Sequence, residues 1–158
     1  MHIERIERLF LVVAGGILAA MVVAVLVAAS AEHASLPEPA ERVDPATLRE
    51  TAPFDDPGVF HDGDNRYTVV IVASAWQFEP SEIRVPVGSE VRFIVSSTDV
   101  IHGFLIPGTQ VNAMLVPGQV TDVTTEFDDV GTHRLICHEY CGLNHHEMSA
   151  ELIVEEAA

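Results

Sequence analysis

Lysine is missing from this sequence. Its eight basic residues are all arginines, set against 24 Asp and Glu, and the formal net charge is −16. Phosphate backbones are gripped by clustered Lys and Arg that displace counterions, so this balance excludes nucleic acid as a partner. Cysteine is nearly absent too, with two in 158 residues. A chain of this length can bury a core as one domain without disulfide staples. There is no internal repeat and no low-complexity tract. The 48% apolar content excludes wholesale disorder.

What is present is unevenly placed. Glu4, Arg5, Glu7 and Arg8 cancel, so the whole net charge lies beyond residue 31. From Leu9 to Ala31 the sequence LFLVVAGGILAAMVVAVLVAASA carries no charge. As a helix it is long enough to cross an apolar bilayer core of about 30 Å. Ala29-Ser30-Ala31 resembles a cleavage site, but a signal peptide's apolar region is usually about 7–15 residues. The expectation is therefore a retained anchor over 1–31. Arg5 and Arg8 ahead of the span, with acids behind it, put the N-terminus in the cytoplasm and the rest outside the cell membrane.

Residues 32–66 contain Pro37, Pro39, Pro45, Pro53 and Pro57 among many acids, with no sustained apolar period. They read as a connector, with one helical turn around Pro45–Glu50. From 67 to 158 the texture changes. YTVVIVAS (67–74), EIRVPV (82–87), EVRFIVS (90–96), VTDVTTEF (120–127), THRLIC (132–137) and AELIVE (150–155) are rich in β-branched residues and separated by turn signals. Short strands without amphipathic helices between them predict a small antiparallel sandwich or barrel.

The chemistry is concentrated in Cys137-His-Glu-Tyr-Cys141-Gly-Leu-Asn-His145-His-Glu-Met148. Thiolate, imidazole and thioether form a soft donor set that suits copper. Structural zinc sites close with Cys and His alone and have no use for Met. One thiolate suffices for a mononuclear blue-copper site, whereas two in one loop allow bridging sulfurs and two ions. Another His is then needed, and His102 in Asp99-Val-Ile-His102-Gly-Phe follows a predicted strand, where a loop can present it. A disulfide is the competing use of two cysteines in an exported chain, but a Cys-x₃-Cys staple gains little from closing so short a loop.

Asp99-Val-Ile-His102-Gly-Phe, together with Cys137-x₃-Cys141-Gly-Leu-x-His145-x₂-Met148, resembles the CuA domain of cytochrome c oxidase subunit II. The likeness is closest to the single-helix subunit II of B-type haem–copper oxidases. Glu41-Arg-Val-Asp-Pro45 and Phe78-Glu-Pro80 with Ile83-Arg-Val-Pro-Val-Gly88 extend it over nearly the whole chain. The resemblance implies an all-β cupredoxin, a Greek-key barrel, behind one N-terminal transmembrane helix. It implies a dinuclear copper centre bridged by Cys137 and Cys141, with His102 and His145 giving one ring nitrogen to each ion. Met148 and the backbone carbonyl of Glu139 would be the weak ligands. His133, His138 and His146 match no ligand position.

The resemblance further implies a membrane-bound terminal oxidase whose haem-bearing subunit I reduces oxygen, while this chain passes single electrons to it. The donor would be a cytochrome c or a small blue copper protein, and Trp76, the single tryptophan, is a candidate entry point or else core. In many conventional members the glutamate at the position of Glu139 also helps hold magnesium at the subunit interface. The single-helix group is not generally expected to carry that ion, and a carbonyl ligand with an idle side chain is the simpler role. An independent tethered copper carrier or shuttle is the alternative function. A metal-free quinol-oxidase subunit is disfavoured by the complete ligand set. Nitrous oxide reductase shares the copper motif but has a large second domain that this sequence lacks.

An acidic, Lys-free exterior stays hydrated in brine, and at about 1 M salt the Debye length of about 3 Å screens its self-repulsion. The expectation is a salt-loving source, in which a donor docks through apolar contacts. GC-rich codon bias would also remove lysine, and salt separates the two. Under the salt-loving reading, the chain's melting temperature rises as NaCl is raised from millimolar to molar. Greatest stability at low salt would defeat it.

Overall fold

The structure, a computed structural model, describes residues 4–31 and 41–157. The beginning of the connector, with Pro37 and Pro39, lies outside the described residues. The chain divides into two compact units.

The first contains α1 (Arg5–Ala31), one unbroken helix. Leu, Val, Ile and Ala occupy every side of it, and none of its large apolar side chains is buried. A helix apolar all round needs an apolar medium rather than a one-sided core. It is long and apolar enough to cross a membrane.

The second unit is a two-sheet sandwich. Its strands are β1 (Glu41–Arg42), β2 (Gly58–Gly63), β3 (Arg66–Ser74), β4 (Gln77–Glu79), β5 (Glu82–Pro86) and β6 (Ser89–Ser97), followed by β7 (His102–Leu105), β8 (Asn112–Leu115), β9 (Gln119–Phe127), β10 (Gly131–Ile136) and β11 (Ser149–Glu155). One sheet runs β1-β9-β6-β3-β2, with β4 beside β3, and the other runs β5-β11-β10-β7-β8. The all-β cupredoxin expectation holds, with a qualification on strand direction. Most pairs are antiparallel, but β3–β6 and β5–β11 are parallel. The chain leaves β3, visits the opposite sheet as β5, and returns as β6, and such a crossover brings a strand back in its original sense.

Period-2 alternation does the packing. Val91, Phe93 and Val95 of β6 point inward and are fully buried, while Arg92 faces out. They meet Val69 and Ile71 of β3, and Phe104, Leu135 and Leu152 from the facing sheet. Phe104 stands edge-on to both Phe93 and Phe78, with ring centroids 5.5 and 6.0 Å apart.

The segment read as a connector is more structural than its sequence implied. Pro45–Glu50 forms a 3-10 helix capped by the Asp44 side chain, as the single helical turn anticipated. Leu48 and Phe54 are fully buried against Val70, Val72 and Val120, on the outer face of the β3–β6–β9 sheet. Two isolated apolar residues leave no periodic trace in a sequence, yet they seal a face that β3 would otherwise expose.

Candidate metal centre

The expected donors come together at one end of the sandwich, and strand pairing is what gathers them. β10 and β11 are antiparallel neighbours whose last pair is Ile136 with Ser149, and the Cys137 amide then donates to the Met148 carbonyl at 3.1 Å. The loop from Cys137 to Met148 is thus pinched at its base. β7 lies on the other side of β10, with Leu105 opposite Ile136, which sets His102 beside Cys137. His102 is the first residue of β7 rather than part of the loop expected from sequence. The strand is too short to betray itself by alternation.

Cys137 and Cys141 are free thiols, 8% and 7% exposed, with their Sγ atoms 3.7 Å apart, so the disulfide alternative does not describe this site. His102 Nδ1 lies 4.0 Å from the Cys137 sulfur, and His145 Nδ1 lies 3.5 Å from the Cys141 sulfur. Met148 Sδ is 3.6 Å from the Cys141 sulfur, and the Cys137 thiol donates to the Glu139 carbonyl at 3.2 Å. The ligand atoms of His102, Cys137 and Cys141 all fall within 4.8 Å of one another. Glu139 turns its carbonyl inward and leaves its carboxylate half exposed, 3.9 Å from His138.

Burial pushes the Cys141 thiol up to about 11, and its hydrogen bond and repulsion with Cys137 add to the shift. Without metal this thiol is therefore protonated at neutral pH, and metal binding releases its proton. Burial also pushes the Asp99 carboxyl up, but hydrogen bonds from His102, Ala75 and Val100 outweigh it and hold the group below the usual carboxylate range.

Trp76 sits in the turn between β3 and β4, about a third exposed, and its indole N–H donates to the Cys141 carbonyl at 3.2 Å. Gly142 permits that approach. Its φ is +122°, and a Cβ there would meet the indole nitrogen at 2.9 Å. His133, His138 and His146, which match no ligand position, have other partners. His133 rests on Phe127, His138 Nε2 bonds Asn112, and His146 is exposed.

Two residues were not singled out from sequence. Asp99 is the partner of His102 Nε2 at 2.9 Å, and Gly103 donates its amide to the Cys137 sulfur at 3.3 Å. The D-x-x-H-G string contained both, but neither spacing nor composition says which of its members touches a ligand.

A Greek-key β sandwich that gathers two thiols, two imidazoles and a thioether at one end defines a cupredoxin-like metal protein. Residues 74–157 match the family model described as cytochrome C oxidase subunit II, periplasmic domain. A cytochrome c oxidase subunit 2 of Thermus thermophilus is 44% identical over 118 residues, covering 73% of this chain and 87% of that protein. A nitrous-oxide reductase of Cupriavidus necator is 35% identical over 102 residues, which is 16% of its length. A solved haem–copper terminal oxidase dimer contains a chain similar to this one at TM-score 0.63 and 34% identity, over 96% of this chain and 100% of that one. The chain belongs to the cytochrome c oxidase subunit II family.

Gly103 is the tightest packing constraint at the site, because a Cβ there would lie 2.5 Å from the His138 backbone nitrogen. Gly103→Ala should displace the loop, destabilise the metal-free chain by about 1–3 kcal/mol and speed thiol labelling of Cys137. Denaturant titration and a labelling time course check this. Wild-type values in both would show that the loop yields freely.

Proposed function

We propose that this chain is the electron-entry subunit of a membrane-bound haem–copper oxidase, with a dinuclear copper centre bridged by Cys137 and Cys141. One observation carries the reading: two buried sulfurs 3.7 Å apart with an imidazole nitrogen near each, His102 Nδ1 4.0 Å from the Cys137 sulfur and His145 Nδ1 3.5 Å from the Cys141 sulfur. That near-symmetry fits two ions sharing two sulfurs with one ring nitrogen each. Met148 Sδ, 3.6 Å from the Cys141 sulfur, and the Glu139 carbonyl, 3.2 Å from the Cys137 sulfur, would be the weak ligands. The thiolates and the thioether are soft donors that suit copper, whereas a closed zinc tetrahedron of two thiolates and two imidazoles would leave the thioether idle.

When bound, such a centre supplies reversible one-electron transfer. The chain's own residues keep it closed to other chemistry. Cys137, Cys141 and Met148 are buried within the main core, which excludes water from the sulfurs. Ligands anchored on β7, β10 and β11 have little room to move between redox states, which keeps reorganisation small. Oxygen reduction belongs to the haem-bearing subunit I. The carbonyl of Glu139 is the group this reading uses, and an interface magnesium ion on its exposed carboxylate is not required.

Charge and surface shape the partners. α1 anchors the chain with Arg5 and Arg8 on the cytoplasmic side and the copper domain outside. Trp76, in hydrogen-bond contact with the Cys141 carbonyl and partly exposed, is the route by which a cytochrome c or small blue copper protein delivers its electron. Tyr140 and Leu143 are 78% and 82% exposed on the Cys137–Met148 loop, large uncharged side chains on a highly acidic chain. Contacts of that kind survive salt that would screen a charged dock.

Copper analysis and electron paramagnetic resonance of the copper-loaded chain test the centre. Two coppers per chain, with one unpaired electron split by both nuclei, are expected. One copper with a blue-type spectrum would replace the proposal by a mononuclear shuttle. On the same preparation, Trp76→Ala should keep its copper and slow donor oxidation at least about tenfold, roughly 1.4 kcal/mol of barrier. An unchanged rate would remove Trp76 from the path.

A further inference from the structure

His102 has two ring nitrogens and only one of them faces the sulfurs. Nδ1 is 4.0 Å from the Cys137 Sγ, and Nε2 is 2.9 Å from Asp99 Oδ1. The ring is fully buried, while Asp99 keeps about a third of its side chain exposed. A neutral imidazole that gives its Nε2 proton to a carboxylate has its lone pair on Nδ1, the atom a metal needs.

Asp99 has other partners. Its Oδ1 accepts from the Val100 amide at 2.7 Å, and its Oδ2 accepts from the Ala75 amide at 2.7 Å. Ser97 Oγ lies 3.3 Å from the same carboxylate and donates to the Val100 carbonyl at 2.7 Å, which closes the turn. The bonds from Ser97 and Val100 are what any aspartate makes in a tight turn. The bond from Ala75 is not local, because it spans 24 positions and reaches the β3–β4 turn. Ala75 precedes Trp76, whose indole holds the Cys141 carbonyl. One carboxylate thus closes a loop of contacts, from Cys137 through His102 and Asp99 to the Trp76 turn and back to Cys141.

We propose that Asp99 is the positioning residue of this site: it fixes His102 with Nδ1 turned to the metal position and locks that ring to the turn carrying Trp76. The inference rests on His102 being a ligand, as proposed above, and not on the number of coppers. Without the carboxylate, the ring loses its one charged acceptor inside the core and either nitrogen can carry the proton. The Trp76 turn loses its tie to β7 at the same time.

The two halves of the claim separate by substitution. Asp99→Ala removes both. Asp99→Asn keeps an oxygen for His102 but turns an amide donor toward the Ala75 N–H, so only the tie to the turn is lost.

The test uses the full chain in detergent. Nitrogen-15 NMR of copper-free protein reads the His102 tautomer, amide exchange reads Ala75, and transfer to a chelator reads copper release. In wild type, His102 should be a single Nε2–H tautomer with Ala75 protected. Asp99→Ala should mix the tautomers, expose Ala75, alter the copper hyperfine pattern and release copper about 10–100-fold faster. Asp99→Asn should keep the tautomer and lose Ala75 protection, and it decides the matter if the alanine variant does not fold. A wild-type tautomer and copper release within about twofold in folded Asp99→Ala would overturn the proposal, as would Ala75 protection retained in Asp99→Asn. One copper per wild-type chain would sink the dinuclear reading while leaving the tautomer result to stand or fall alone.

Discussion

Two thiols held 3.7 Å apart, unbonded and nearly shut off from water, are the arrangement on which the rest of this domain depends. Left to a flexible loop, two such groups would move apart or turn to solvent. Each is fixed from a different side. Cys137 continues the β10–β11 ladder through its amide bond to Met148, and its sulfur receives the Gly103 amide. Cys141 is held through its carbonyl by Trp76, and its sulfur packs against Met148. Those contacts come from the β3–β4 turn, β7, β10 and the start of β11, so the site is rigid only if both sheets are in place. The interlocked Phe78, Phe93 and Phe104 behind it keep the sheets from sliding.

How much of this could be read in the sequence depended on how many residues spoke for each feature. β3, β5, β6, β9, β10 and β11 announced themselves because their segments are rich in β-branched residues and bounded by turn signals. β1, β2, β4, β7 and β8 escaped because segments of two to six residues, two of them carrying glycines, give no alternation to count. The loop donors were legible for the opposite reason: Cys137, Cys141, His145 and Met148 fall within twelve residues, and few other uses gather two Cys, a His and a Met so closely. His102 came from its place after a predicted strand and from its family-like string, not from its spacing to the other donors. Asp99 and Gly103 act through an orientation and a close approach, which are properties of three dimensions alone.

The outer face of the first sheet shows a different limit. β3 carries Val69, Val70, Ile71, Val72 and Ala73 in succession, all buried. A continuous apolar run of this kind is what a strand covered on both faces looks like. It therefore required a second cover, which Leu48 and Phe54 supply from a segment that looks solvated by composition. The run in β3 was the available sign that the acidic, proline-rich stretch does more than span a distance.

His102 is the point where stability and function pull in different directions. Among the described residues it is the one wholly buried side chain outside the apolar set other than three serines, and each serine has a backbone carbonyl to satisfy it. Burying an imidazole costs on the order of 1–3 kcal/mol unless it is hydrogen-bonded. Here Nε2 is answered by Asp99, while Nδ1 has only the Cys137 sulfur, a weak donor at the long distance of 4.0 Å. An apolar residue in the same place would stabilise the sandwich more. A fold that keeps a buried imidazole between a carboxylate and two thiols, with only a weak sulfur contact at Nδ1, leaves that nitrogen free to take a better partner, and under the proposed function a soft metal ion would be that partner.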